Sequence, residues 1–197
     1  MNSKKLLLLD FDGTITTKDT FPLFIKFDKG FLVYFAVFSL FSPLLILYKL
    51  KLMDGGRVKQ SILSFLYKNY SKDKLFKKGI DFIAYLNEKG VVKAKFSKLI
   101  SAAKINNYET SVVSASPNIW IKAFCENHKI NYVCTELEFN DEQLFTGKFK
   151  TPNCVRKEKV IRIKQKYNLT DFIEIIAYGN SMDDEEMYKI ATSFYRV

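Results

Sequence analysis

"LLLLDFDGTIT", residues 6–16, sets four leucines directly against two acids, a glycine and two threonines. A short apolar run without alternation, ended by polar turn formers, reads as a strand over residues 5–10 that is buried on both faces. Such a strand delivers Asp10 and Asp12 to a single point. Two carboxylates at the mouth of a buried strand need a cation or hydrogen-bond donors to offset their desolvation. The opening "MNSKKLLLLD" imitates an export signal, but its apolar run stops at Asp10 after four leucines, too short for the apolar core of a signal peptide. The expectation is a first strand, in a cytoplasmic protein or one peripheral at the inner face of the membrane.

Downstream the period changes. Residues 20–29 read as a short amphipathic segment, and "FLVYFAVFSLFSPLLILYKL" (31–50) follows, uncharged from Phe31 to Tyr48. As one helix that uncharged stretch spans about 27 Å, marginal for a bilayer, and Ser39, Ser42 and Pro43 interrupt it. Three readings stand: a pair of buried or partner-covered helices, an interfacial apolar element giving peripheral membrane contact through 31–48, or a span. "DGGR" at 54–57 reads as a turn. Residues 58–69, 72–88 and 91–105 read as helices, with Ser71 capping the second and Gly90 stopping it.

From residue 109 strands and helices alternate. "TSVVSAS", "NYVCTEL", "FIEIIAYGN" and "SFYRV" read as strands, with helices at "PNIWIKAFCENH", "VRKEKVIRIKQKYN" and "DDEEMYKIA", and a β-hairpin in "LEFNDEQLFTGKF". Alternation of this kind predicts an α/β fold with a doubly wound, mostly parallel, Rossmann-like sheet. Ligands of such sheets bind beyond the carboxyl ends of the strands. Three strand ends meet there, carrying Asp10 and Asp12; Ser114 and Ser116; and Gly179, Asn180, Ser181, Asp183 and Asp184. Lys157 or Lys159 comes from the helix between. Carboxylates with hydroxyls and a lysine suit a Mg²⁺-bound phosphate, oxygens for the hard cation and donors for the phosphoryl group.

Composition narrows the partners. The net charge is +10, and 27 of the 31 basic residues are lysine, dispersed without a basic block. Base and phosphate readers favour the arginine fork, so no nucleic-acid partner is expected. Cys125, Cys134 and Cys154 are too widely spaced for a zinc site or a disulfide framework. Oligomeric state is not legible.

In this order, "LLLLDFDGTIT", "SVVSAS", "RKEKV" and "AYGNSMDDEEM" resemble the four motifs of the haloacid dehalogenase superfamily of hydrolases, subclass IB, phosphoserine-phosphatase-like. The resemblance implies a core over 1–16 and 91–197, with a helical cap inserted at 17–90. It implies a Mg²⁺-dependent phosphatase that hydrolyses a phosphate monoester through an aspartyl-phosphate intermediate. Asp10 would be the nucleophile and Asp12 the acid that protonates the leaving alcohol; a dehalogenase needs no such acid. Gly13 would permit the tight turn, Thr14 would brace it by hydrogen bonding, and Ser114 with the Ala115 amide would donate to the phosphoryl oxygens. Lys159, which matches the family's helix more closely than Lys157, would neutralise charge between nucleophile and phosphate. Mg²⁺ would be held by Asp10, the Asp12 carbonyl, and Asp184 or Asp183. Asn180 departs from the pattern, standing where the family commonly has an acid, and implies weaker metal binding. Asp19 matches the acid that phosphoserine phosphatases carry after the first motif, but Arg57 is the only arginine of the cap. The apolar 31–48 stretch resembles relatives that include phosphatidylglycerophosphate phosphatases. The resemblance thus implies a small phosphometabolite or a lipid phosphate as substrate, and the alternative is a non-catalytic or weakly active module binding a membrane or a protein.

Overall fold

The computed structural model describes residues 4–197; residues 1–3 of the expected core segment lie outside them. Strands β1 (Lys4–Leu9), β2 (Tyr108–Pro117) and β3 (Asn131–Thr135) precede a hairpin of β4 (Leu137–Phe139) and β5 (Phe145–Phe149), and β6 (Phe172–Gly179) and β7 (Ser193–Arg196) follow. Five of them form one sheet in the order β3-β2-β1-β6-β7, and β4 and β5 pair separately. Every neighbouring pair in the larger sheet is parallel, whereas the hairpin is antiparallel. The α/β expectation therefore holds.

The leucine run explains why β1 is central. Leu7 and Leu9 pack into one apolar cluster and Leu6 and Leu8 into the other, on opposite faces of the sheet, and all four are buried. Each contributes about 1.5–3 kcal/mol through burial. From β1 the chain builds outward through β2 to β3, then returns to place β6 on the other side of β1. The strand order reverses at β1, so the crevice beyond its carboxyl end is the ligand position in this topology.

Between β1 and β2 run α1 (Thr20–Leu40), α2 (Ser42–Lys49), α3 (Gly55–Tyr67), α4 (Lys72–Glu88) and α5 (Ala94–Ile105); α6 (Asn118–His128), α7 (Lys157–Lys166) and the single turn α8 (Glu185–Tyr188) complete the set. Where the chain leaves β1 and returns, it is stitched to itself. Thr16 bridges Val92, Thr17 N donates to the Val91 carbonyl (2.9 Å), and Lys93 N donates to the Ile15 carbonyl (2.9 Å). This bridge holds residues 91–93 extended, so the helix expected over 91–105 begins only at Ala94.

Two other expectations shift. "DGGR" is not a free turn, because the Asp54 carboxylate accepts from Gly56 N (2.8 Å) and Arg57 N (3.2 Å) and caps α3. The segment at 20–29 and the first half of 31–50 are joined, since α1 runs from one into the other as far as Leu40, broken only at Gly30 (φ 79°, ψ 171°). That conformation is open to glycine and costly for any residue with a Cβ.

The apolar stretch 31–48 is only half absorbed by the core. In α1 and the residue that ends it, Tyr34, Val37, Phe38 and Phe41 turn inward at helical spacing, while Leu32, Phe35, Ala36 and Leu40 face out. Among the described residues no single helix is long and apolar enough to cross a membrane; α1 and α2 meet that length only together, and they are bent by 60°.

Candidate active site

The turn after β1 is built by its neighbours. Asp10 N donates to the Tyr178 carbonyl (2.9 Å), extending the pairing with β6 by one residue. The chain then makes one wide π-type turn, Phe11–Ile15, in which Gly13 takes φ 80°. Asn180 Nδ2 lies 1.9 Å from the position a Gly13 Cβ would occupy, so glycine is required by both backbone and space. The brace expected from Thr14 comes instead from Thr16: Gly13 N donates to Thr16 Oγ1 (3.2 Å), and Thr16 N closes the turn on the Phe11 carbonyl (3.0 Å). The Thr14 hydroxyl is buried without a partner among the described residues. Lys93 adds a second brace, its Nζ donating to the Gly13 carbonyl (2.6 Å).

Above this turn sits a buried charge cluster. Lys159 Nζ donates to Asp10 Oδ1 (2.7 Å) and to Asp184 Oδ1 (2.6 Å), and all three residues are buried. Lys157, two residues earlier on α7, is exposed. Burial pushes the Asp10 carboxyl up to about 6, Asp184 and Asp12 add to the rise, and Lys159 opposes it. Burial works against the Lys159 ammonium too, but Asp10 and Asp184 outweigh it and hold its pKa above the ordinary lysine value. For Asp184, burial is outweighed by Lys159 and by the Ser181 and Asn180 amides, which keep the carboxyl below its usual range.

Asp184 is committed to the protein. Its Oδ2 accepts from Asn180 N (3.1 Å), Ser181 N (3.0 Å) and Ser181 Oγ (3.1 Å), closing a capping box after β6. Asp183 turns the other way, taking a hydrogen bond from Arg156 Nε (2.7 Å). Asp184 is used up in its bonds and Asp183, although it lines the same cavity as Asp10, is paired with Arg156; among the described residues no three His, Cys, Asp or Glu side chains converge on a metal position. The oxygen donors left over are the Asp10 carboxylate, the Asp12 carbonyl and the Asn180 side-chain carbonyl. These are hard donors of the kind Mg²⁺ takes, with one full charge among them.

Asp12 is oriented rather than paired. Thr20 donates to its Oδ1 from both N (2.7 Å) and Oγ1 (2.5 Å), and Ser116 Oγ donates to Oδ2 (2.6 Å). The Thr20 hydroxyl in turn accepts from Trp120 Nε1 (3.0 Å). Ser116 stands among the strand-end residues expected at the site, whereas Thr20, which opens α1, was not legible as a site residue. The available signal was a physical one, since a fixed acid beside a nucleophile needs hydroxyl donors. Ser114 Oγ is buried and accepts from Ser116 N (3.0 Å), and Ser114 and Ala115 both face the cavity above Asp10.

That cavity has a volume of about 700 Å³. At its floor lie Asp10, Asp12, Asn180 and Lys159; its opposite wall is Phe38, Leu45, Tyr48, Leu52 and Met53. Asp19 lines it while capping α1 through Phe21 N (3.0 Å), and burial and Asp12 raise its carboxyl while Lys59 opposes them. Lys59 lines the cavity; Arg57 is exposed and outside the lining.

Comparison with known proteins agrees with this architecture. Protein CicA of Caulobacter vibrioides is 27% identical over 187 residues, covering 94% of this chain and 82% of that one. A crystal structure of a protein with unknown function from Bordetella pertussis superposes with a TM-score of 0.84 at 16% identity, covering 99% of this chain and 90% of the other. A phosphoserine phosphohydrolase-like protein from Francisella tularensis gives 0.66 at 18% identity, with coverages of 98% and 86%. A phospho-aspartyl intermediate analogue of phosphoserine phosphatase gives 0.60 at 21%, with 99% and 87%. The family model of the haloacid dehalogenase-like hydrolases matches residues 7–189, from the leucines of β1 to the end of α8, and the chain belongs to that family.

Proposed function

We propose that this hydrolase cleaves a phosphate monoester, with Asp10 as nucleophile and the insertion at 17–90 as the cap over its site. The observation that carries the reading is the division of labour between two carboxylates two residues apart. Asp10 is held by the protonated Lys159, which screens its charge from an incoming phosphoryl group. Asp12 is turned away by Thr20 and Ser116 and left to handle protons. Asp10 Oδ2 attacks phosphorus, the bond to the leaving alcohol breaks, and Asp12 protonates that oxygen. Asp12 then takes a proton from the water that hydrolyses the aspartyl phosphate. Ser114 Oγ and the Ala115 amide donate to the phosphoryl oxygens. Mg²⁺, held by Asp10, the Asp12 carbonyl and Asn180, supplies further neutralisation of phosphate charge when bound. A phosphoserine phosphatase is among the structural neighbours in a phospho-aspartyl analogue form, which supports the same intermediate here.

For the substrate, the apolar wall favours an alcohol with an apolar body, hence a lipid phosphate over a small polar phosphometabolite. Phosphoserine is further disfavoured because the arginine that lines the cavity, Arg156, is paired with Asp183. The rival reading of a non-catalytic module rests on Asn180, and the intact Lys159–Asp10 pair argues against it.

The test is Mg²⁺-dependent phosphate release from an aryl phosphate, phosphoserine and a phosphatidylglycerophosphate. Asp10→Asn is expected to lower turnover at least about 10⁴-fold with the fold retained. Substantial remaining turnover by that variant would overturn the mechanism, and equal use of all three substrates would overturn the lipid preference.

A further inference from the structure

The outer face of the α1–α2 hairpin is unlike the rest of the surface. Leu32 (82% exposed), Phe35 (64%) and Leu40 (61%) lie along one side of α1 at helical spacing, and Ile46 of α2 with Leu50 and Leu52 just after it continue the apolar exposure. Phe65 of α3, also exposed, packs edge-on against Phe41 and widens it. A contiguous apolar face of this kind on a folded domain marks an interaction site.

Its occupant follows from charge. From Lys29 to Met53 there is no acidic residue, while Lys26, Lys49 and Lys51 stand exposed at the two ends of the hairpin. The Lys26 ammonium rests over the Phe31 ring at 5.6 Å, a cation at the border of the apolar face. Asp28, the nearest acid before it, is buried in an ion pair with Lys78 and a hydrogen bond from Tyr67 (2.9 Å), so its charge is compensated. A second copy of this chain would bring the same lysines against these, and each copy carries a net charge of +10. An apolar face rimmed by cations fits a layer of acyl chains beneath anionic headgroups.

We propose that the α1–α2 hairpin seats this protein on an anionic membrane surface, with Leu32, Phe35, Leu40 and Ile46 entering the acyl boundary. Leu52 belongs both to the exposed face and to the cavity lining, so a protein seated this way presents the mouth of its site to the headgroup layer. The docking stands on the hairpin alone and does not depend on the reaction assigned to the site.

Co-sedimentation with vesicles tests it. Phosphatidylcholine vesicles containing phosphatidylglycerol are expected to bind the full chain, with binding that falls as salt rises; phosphatidylcholine alone is expected to bind it far less. Leu32→Glu with Phe35→Glu is expected to lower partitioning at least about tenfold, since two large apolar groups no longer enter the membrane. Aryl phosphate hydrolysis is expected to be unchanged in the same variant, because neither residue lines the cavity. Lys26→Gln with Lys49→Gln is expected to weaken binding at low salt and to flatten its salt dependence. Failure of wild-type protein to bind anionic vesicles overturns the proposal, as does equal binding by the Glu variant. A lipid-independent dimer in sedimentation velocity, lost in the Glu variant, assigns the face to a second copy and overturns it too. Because binding is read without turnover, an inactive enzyme that still binds vesicles refutes the phosphatase reading and leaves this one standing.

Discussion

The mouth of β1 and the α1–α2 hairpin invert the usual partition of a globular protein in opposite senses. At the strand mouth Asp10, Lys159 and Asp184 are buried together, three ionisable groups where apolar side chains are the rule. On the hairpin Leu32, Phe35 and Leu40 are left in solvent, where polar side chains would serve better. Burying charge costs several kcal/mol per ion before pairing offsets it, and leaving apolar groups exposed forgoes about 1.5–3 kcal/mol each. Stability alone selects neither arrangement. The contrast teaches that the two regions have different work: the first is a buried site whose charges are paired, and the second is a surface awaiting something to cover it.

The cluster is where a single change should cost most. Lys159→Met leaves two carboxylates buried together without their cation, and the expected destabilisation is about 3–5 kcal/mol in urea unfolding. Lys159→Met with Asp184→Asn is expected to recover part of that loss, because one of the two stranded charges is gone. If Lys159→Met proves neutral, the charges are not held as the geometry indicates and the comparison collapses.

A smaller effect is expected at Ser116, which touches Asp12 and nothing in the charge cluster. Ser116→Ala frees Asp12 Oδ2, and kcat is expected to drop about 10–100-fold with KM little changed, as is usual when an orienting group is lost. Unfolding free energy should move far less than for Lys159→Met. Equal losses of stability in the two variants would mean that Ser116 braces the fold rather than the acid.

Smaller still is the effect of pH. With its carboxyl raised to about 6 in the metal-free protein, Asp10 is ionised at pH 7 and mostly protonated at pH 5, so the rate at limiting Mg²⁺ is expected to fall about tenfold between them. Stability moves the other way for this group. A carboxyl whose folded pKa lies above its unfolded value favours folding at low pH and opposes it as pH rises through both values. Asp184, lowered in the fold, has the opposite sign and loses its contribution as pH falls. The rate and the unfolding free energy are therefore expected to respond differently to acid; parallel curves would locate the loss of rate in unfolding rather than in the nucleophile.

How much of this was readable in advance depended on the range of the interaction. The leucine run announced the central strand because burial on both faces leaves a local signature, and Asp10 and Asp12 followed from it. Lys159 became distinguishable from Lys157 once α7 began at Lys157, which puts Lys159 on the inward face with Ile163, one turn on. The bonds to Asp12 were out of reach even though Ser116 stood among the strand-end candidates: Thr20 and Ser116 lie 96 residues apart and meet only through the fold. The stretch 31–48 misled in another way. Hydrophobicity indicates that a segment avoids water, not what it packs against, and the inward and outward faces of α1 are equally apolar.

That ambiguity frames the smallest expected effect, which is also the sharpest test of the comparison. Leu32 is 82% exposed, so replacing it with glutamine removes almost no buried contact. The change in unfolding free energy of the isolated protein should stay within about 0.5 kcal/mol of zero, as for surface positions in general. Glutamine is an equally good helix former, so propensity adds nothing. If Leu32 is instead covered by a tightly bound second copy, the same substitution strips an apolar group from an interface, and stability should fall measurably and depend on protein concentration. A silent Leu32→Gln beside a costly Lys159→Met would show that the charge of this protein is built into its fold, while the apolar face of α1 contributes nothing to stability until something binds it.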